Sequence, residues 1–503
     1  MDTIVPLPLE TGTLAFLLDQ AKDFAIVHGL VICDTADQQQ VASHVLLPSP
    51  IIRKRYIEAV EVAKDFNELY HKVANDYNFL RDALKSVLAV DSFTKGLWNI
   101  YETVRNEGIA QPINLGIVRS DYMVEYDHKD SQNNVENGVA DVNGDVNDSN
   151  TRLRQVEYNT IATGAAGLST QVAKLHRYLA SEMELEVKLL ENNPVSGTAS
   201  GIVEAWQMYG NERAVVVFVI YSPNPQVYDR RWLEYAVYEL NSRIKIISCT
   251  IHDMSEAVLT KDKKLFMKDR EVGVVYFRSV GSPRHFTSNE VWETRLNIER
   301  SMAIKCPNIN FQLSGTKKVQ QELTKPGVVE RYIKDPNAVQ RIRATFAQQF
   351  NLEQNEEGDN ALRLGIEKPE GFVLKPQREG GGNNFFGDDI KELLSKIKDS
   401  DERTQYVLME RIRPLVFKNY VVWEDKSVAL CDMVSELGIY GVIMGTPDRI
   451  IMNTECGHLV RTKTLGTNEE KGRRFIDIDE IKQHVQLHLA TMSENGFSLV
   501  SQS

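Results

Sequence analysis

Between Phe372 and Asp389 the chain reads FVLKPQREGGGNNFFGDD, an apolar run ending in Lys375 and followed by Gly380, Gly381, Gly382, Asn383 and Asn384. Three consecutive glycines let backbone amides approach an anion closely and adopt φ values closed to other residues. A lysine beside such a loop supplies a point charge for phosphate. No Gly-Lys-Ser/Thr follows, so this is not a Walker loop. By itself a glycine triplet is also the composition of a flexible turn. Glu379 stands immediately before the glycines, and a phosphate site needs a divalent metal held by hard oxygen atoms. The segment QVEYNT offers a second source of such oxygens: on a strand, Glu157 and Asn159 share one face. The same spacing also fits a solvated edge strand.

Other charged residues sit at the ends of apolar segments. They are Glu410 and Arg411 in YVLMERI, Glu436 in SELGIYG, Arg461 and Lys463 in GHLVRTK, and Lys317 and Lys318 in LSGTKKVQQEL. Each alone reads equally as a surface charge. No Ser-His or Cys-His constellation stands out.

The elements that must position these residues follow from periodicity. Leu14, Leu17, Leu18, Ala21 and Ala25, with Gly29 as a stop, predict one helix, and Val62, Phe66, Leu69 and Val73 another. The first 110 or so residues are therefore helix-rich. From about 212 to 315 the pattern alternates. AVVVFVIY (Ala214–Tyr221) reads as a buried strand, Leu233, Ala236, Val237 and Leu240 as a helix, and 244–247 and 274–277 as strands. Such alternation predicts an α/β unit with a largely parallel sheet. Val339, Ile342, Phe346 and Phe350 predict an amphipathic helix, with strands near 372, 406 and 429. Residues 127–151 are rich in Asn, Asp and Gly and read as a long exposed loop holding a sequon at Asn147. The tail after about 475 has helical spacing.

The chain has 503 residues, 42% hydrophobic and 25% charged, enough for two or three packed units. Its 58 basic and 70 acidic residues leave a formal charge of -12, which argues against nucleic acid or a membrane surface as partner. No apolar run is long enough to span a bilayer. The five cysteines are scattered without CxxC spacing, so neither a disulfide framework nor a zinc site is expected, and a reducing compartment is.

Taken together, EGIAQPINLGIVRSDYM, CPNI, LSGTKKVQQEL, LKPQREGGGNN, DERTQYVLMERI, SELGI and GHLVRTK resemble the eukaryotic glutathione synthetases of the ATP-grasp superfamily. The resemblance covers almost the whole chain apart from 127–151 and the last 30 or so residues. It implies an α/β ATP-grasp fold in which ATP lies between two sheets beneath a glycine-loop lid. The implied organisation is a helical N-terminal region with part of the core (1–211), an inserted α/β substrate-binding domain (212–315), and the remaining core (316–503) with a lid at about 345–410. By resemblance, Lys317 and Lys375 contact ATP phosphates and Gly380 to Asn384 cover them. Phe386, Met409, Glu410, Arg411, Ile412 and Glu436 line the nucleotide pocket, and Lys463 adds a contact. Glu157, Asn159 and Glu379 hold magnesium, two ions being expected. Arg119, Arg278 and Arg461 match the arginines for substrate carboxylates, a role that suits a planar, bidentate guanidinium. Arg461, Lys317 and Lys375 are the implied catalytic set.

The implied reaction transfers the γ-phosphoryl group of ATP to the C-terminal carboxylate of γ-glutamylcysteine. Glycine's amine then displaces phosphate from the acyl phosphate to give glutathione. A homodimer and a cytoplasmic location are further implications, or secretion if a signal segment was removed. The departures from the family pattern lie on the peptide side. Ala162 and Gly164 occupy a turn that usually bears serines, Arg230 stands where a glutamine is expected, and Arg278 is followed by Ser-Val-Gly. After Lys463, Gly472 and Arg473 replace small apolar residues. These leave two rivals to a glutathione-forming ligase: a paralogue with altered donor or acceptor, and a non-catalytic secreted effector on the same scaffold.

Overall fold

The computed structural model describes residues 5–33, 39–126, 150–185, 189–222, 227–378, 383–422, 428–465, 486–488 and 490–491. Glu379, Gly380, Gly381, Gly382, Gly472 and Arg473 lie outside the described residues, as do the sequon and most of the 127–151 segment.

The N-terminal helices form where the apolar stripes predict them. Arg53–Ala74 buries Ala59, Val62, Phe66, Leu69, Tyr70 and Val73, recurring three or four apart. Asp76 then accepts from Phe79 N at 2.9 Å to start Tyr77–Val90, and Asp91 accepts from Thr94 N at 2.7 Å to start Ser92–Glu107. Each carboxylate satisfies an amide that the new helix leaves without an internal partner. The helix Thr11–Val27 is left through Gly29, whose φ of +69° suits glycine.

Among the described residues, thirteen strands share one mixed sheet. Its parallel part joins Ile246–Thr250, Val215–Ile220, Arg270–Phe277 and Ile304–Cys306 in that order. Val215 to Val219 are all buried, the pattern of a β-branched strand covered on both faces. Ile304–Cys306 pairs with Asn114–Tyr126, which leads into an antiparallel part: Thr151–Asn159, Asn114–Tyr126, Leu430–Thr446 and Arg449–Thr464. A second, four-stranded sheet orders Gln349–Phe350, Tyr406–Glu410, Phe372–Pro376 and Phe385–Phe386. The helices Glu356–Glu367 and Asp388–Ile397 cover it through Ala361, Ile390, Leu394, Leu374 and Leu408. The fold is thus mixed α/β.

Two elements differ from the sequence reading. The amphipathic helix ends at Thr345, and Phe350 lies in a strand. The apolar spacing runs on because Phe346 still packs on Phe66 (6.0 Å between centroids) and Phe350 meets Phe372 edge-on. In the tail, Gln486–His488 is not helical but pairs antiparallel with Val460–Thr462. The backbone groups along that side of Arg449–Thr464 are satisfied by another strand, which overrides the local period.

Candidate active site

Strand register gathers most of the candidate residues on one face. Asn159 lies opposite Arg119 and Glu157 opposite Asp121. On the other side Arg119 faces Tyr440 and Asp121 faces Gly438, and Glu436 in turn faces Arg461. Directly opposed residues project to the same side of a sheet. Four adjacent strands therefore present Glu157, Asn159, Arg119, Asp121, Glu436 and Arg461 to one space, with Lys463 two residues beyond Arg461. The strand carrying Glu157 is fixed by its neighbour Tyr158, which stacks on Tyr70 at 3.9 Å and donates to Asn67 Oδ1 at 2.9 Å.

Cations converge on Glu157. Lys317, at the start of the helix Lys317–Thr324, places Nζ 3.0 Å from Glu157 Oε2. Lys375 reaches from the second sheet to Val156 O at 2.7 Å, joining the two layers at this point. Burial disfavours the charge on Glu157, but Lys317, Lys375 and Arg461 outweigh it and hold the carboxyl well below the usual range. The Glu157 carboxylate is thereby kept ionised amid three cationic side chains.

Beside it, Arg119 grips Asp121 through Nε (2.6 Å) and Nη2 (2.9 Å), and Arg461 reaches the same carboxylate at 2.9 Å while pairing with Glu436. Burial opposes the charge on Arg119, and Asp121 more than offsets it, raising the guanidinium above its ordinary value. Asn159 Nδ2 donates to Asp121 Oδ2 at 2.8 Å and to Arg119 O at 3.2 Å. Both bonds engage the amide nitrogen, and the residue is buried.

The turn after Asn159 holds two non-glycine residues in the left-handed region, Ala162 (φ +55°) and Ala165 (φ +72°). Such strain persists only where neighbours over-determine the backbone. Asp229 accepts from Ala165 N (2.9 Å) and Leu168 N (3.1 Å) and pairs with Arg278. Gly164 O accepts from Tyr440 Oη at 2.5 Å and from Arg119 Nη1 at 3.4 Å. Arg278 and the turn bearing Ala162 and Gly164 thus form one unit with Arg119. Arg230 instead turns to Glu234 and to Ser248 Oγ at 2.6 Å.

The second sheet carries the remaining nucleotide candidates. Val373 is flanked by Phe386 on one side and Met409 on the other. Arg411 lies over the Phe386 ring at 5.8 Å, and its amide bonds Gly371 O at 2.8 Å. Met409 is buried and Glu410 exposed. Ile412 follows the strand, and Asn383 and Asn384 are half-buried just before Phe385. Among the described residues no group of three or more His, Cys, Asp or Glu is arranged to hold a metal; Glu157 and Asn159 are the described part of the expected set.

The surface-charge reading fails for the buried Lys317 and Glu436 and holds for the exposed Glu410 and Arg411. Among the described residues Thr151–Asn159 pairs with Asn114–Tyr126 alone, with Asn159 buried and Glu157 half-buried. Sequence reasoning missed Asp121, although the Arg-Ser-Asp spacing puts Arg119 and Asp121 on one face of a strand. It also missed Tyr440 and Gly438, which only the register brings to the site.

The family model of eukaryotic glutathione synthase, ATP binding domain, matches residues 12–472. Glutathione synthetase from Bos taurus is 39% identical over 461 residues, covering 89% of this chain and 92% of the bovine protein. The glutathione synthetase large chain of Schizosaccharomyces pombe is 37% identical over 491 residues, covering 89% and 93%. Among solved structures, a glutathione synthetase like-effector from Globodera pallida, in apoform, superposes with a TM-score of 0.74 at 26% identity, covering 92% of this chain and 97% of that one. A chain that matches this model from residue 12 to 472, and these relatives over most of its length, belongs to the eukaryotic glutathione synthase family.

Proposed function

We propose that this protein is an ATP-dependent ligase that joins γ-glutamylcysteine to glycine, giving glutathione by way of an acyl phosphate. The observation that carries this is the convergence of Lys317, Lys375 and Arg461 on an ionised Glu157, beside the Arg119–Asp121 pair. Lys317 and Lys375 bind the ATP phosphates. Arg119 and Arg461 orient the donor carboxylate, and Arg278 holds the far end of the donor peptide against the Asp229-anchored turn of Ala162 and Gly164. Arg230, Gly472 and Arg473 complete the substrate side. Phe386, Met409, Glu410, Arg411, Ile412, Glu436 and Lys463 enclose the nucleotide with Asn383 and Asn384 and the glycines 380–382. Glu157, Asn159 and Glu379 would hold Mg²⁺, which when bound offsets phosphate charge. Fixed positive groups aimed at developing charge are the main source of rate in phosphoryl transfer.

The identity of 39% to a named synthetase, against 26% to the effector-like structure, favours the enzyme over a paralogue of altered specificity or a silent scaffold. Two associated features belong to the same proposal. Phe16, Ile26 and Val27 lie exposed on Thr11–Val27, which supports pairing of two copies through the N-terminal part. All five cysteines are free, which supports a reducing, cytoplasmic setting. No helix among the described residues is long and apolar enough to cross a membrane.

The test is incubation with ATP, Mg²⁺ and a panel of γ-glutamyl dipeptides and amino acids, with products identified by mass spectrometry. Glutathione as the main product supports the proposal. A different condensation product, or nucleotide binding without product, overturns it.

A further inference from the structure

Asp121 is fully buried at the centre of the face just described, and four donors converge on it. They are Arg119 Nε on Oδ1 at 2.6 Å, and Arg119 Nη2 (2.9 Å), Arg461 Nη2 (2.9 Å) and Asn159 Nδ2 (2.8 Å) on Oδ2. Oδ2 accepts three of these bonds and Oδ1 one, so the fully buried carboxylate is turned to its neighbouring side chains. The three side chains it holds come from three different strands. Gly438 makes this possible: a Cβ there would lie 2.6 Å from Asp121 Oδ1 and 2.7 Å from Arg119 Cδ.

We infer that Asp121 is a positioning residue that locks the two carboxylate-binding arginines and the metal-facing amide of Asn159 into one rigid unit. The inference rests on the reaction proposed above. Its physical basis is that a shared buried acceptor fixes both guanidinium planes relative to the amide, so that donor carboxylate and metal-bound phosphate meet in register. Lys317 is held by Glu157 and Lys375 by Val156 O, so ATP binding without metal is expected to be independent of Asp121.

The test uses the full chain with Asp121→Asn, which keeps the shape but replaces one acceptor oxygen by a donor. Expected are metal-free ATP affinity within about threefold of wild type, Mn²⁺ affinity of the nucleotide complex lowered about tenfold, and kcat lowered about 100-fold with a raised donor KM. Gly438→Ala, which crowds Asp121 and Arg119 without removing a charge, is expected to give the same pattern more weakly. Mn²⁺ affinity and kcat within about threefold of wild type in Asp121→Asn would overturn the inference. So would loss of ATP binding in step with kcat in both variants, the mark of general collapse. If the wild-type protein forms no glutathione, the proposed reaction fails, and the ATP and Mn²⁺ titrations still decide the role of Asp121.

Discussion

Lys317 and Lys318 are adjacent in the chain but serve opposite purposes: Lys317 Nζ lies 3.0 Å from Glu157, and Lys318 Nζ lies 3.0 Å from Glu353 and 2.9 Å from Glu322. One faces the site across the sheet. The other ties its helix to the second layer, where Lys318 N also bonds Gln377 Oε1 at 3.0 Å. Spacing alone leaves the two lysines equal and the family resemblance picks Lys317; the hundred-degree step of a helix separates them in space.

Methionine at either position therefore gives contrasting results. Lys317→Met is expected to lower kcat/KM for ATP by about 10²–10³. Lys318→Met is expected to cost about 1–3 kcal/mol of stability, because Glu322 and Glu353 lose a buried partner but keep some access to water. Steady-state kinetics and chemical denaturation of both variants check this. Equal kinetic losses would contradict the division of roles.

The strained turn makes a prediction of the opposite sign. Ala165 holds φ at +72° at the start of the helix Ala166–Glu182, where its Cβ is unfavourable. Ala165→Gly is expected to stabilise the protein by about 0.5–1 kcal/mol, measured by urea denaturation at unchanged m. Destabilisation would mean that the methyl group makes packing contacts worth more than the strain.

Acid stability follows chiefly from the three fully buried histidines, with His71 and His285 lowered in the same direction. Burial lowers His44 to about 4 and His176 and His458 to about 3, against an ordinary value of 6.5. The unfolded chain thus binds more protons than the folded one below pH 6.5. The stability they contribute is fully present above that value and is lost as pH falls toward 4 and 3. At its steepest the loss is about 4 kcal/mol per pH unit for three protons. Denaturant titrations between pH 7.5 and 5 read this slope directly, and a flat profile contradicts it.

How much was legible in the sequence depended on whether position along one element was enough. That Glu157 and Asn159 share one face needed only the alternation of a strand, and that Lys375 ends an apolar run only its place in the chain; the roles given to all three came from the family resemblance. The stripe Val62, Phe66, Leu69 and Val73 likewise appeared as a buried helix face. Asp121 and Gly438 were invisible because their meaning lies in register: strands far apart in sequence must align before Asp121 faces Glu157 and Gly438. The helix drawn through Phe350 failed for a related reason, since apolar spacing reports burial and not which backbone conformation achieves it. The family resemblance named many site residues, but the pairing of Arg230 with Glu234 and Ser248 required coordinates.

The central claim is that this site activates a carboxylate by phosphoryl transfer. It is tested most directly by supplying γ-glutamylcysteine labelled with ¹⁸O in its C-terminal carboxylate, together with ATP, Mg²⁺ and glycine. Attack by the carboxylate on the γ-phosphorus, followed by amine displacement of phosphate, carries one labelled oxygen into inorganic phosphate for each glutathione formed. Mass spectrometry of the phosphate is predicted to show that transfer. Glutathione formed with unlabelled phosphate, or ATP hydrolysed without labelled phosphate or peptide product, would contradict the account.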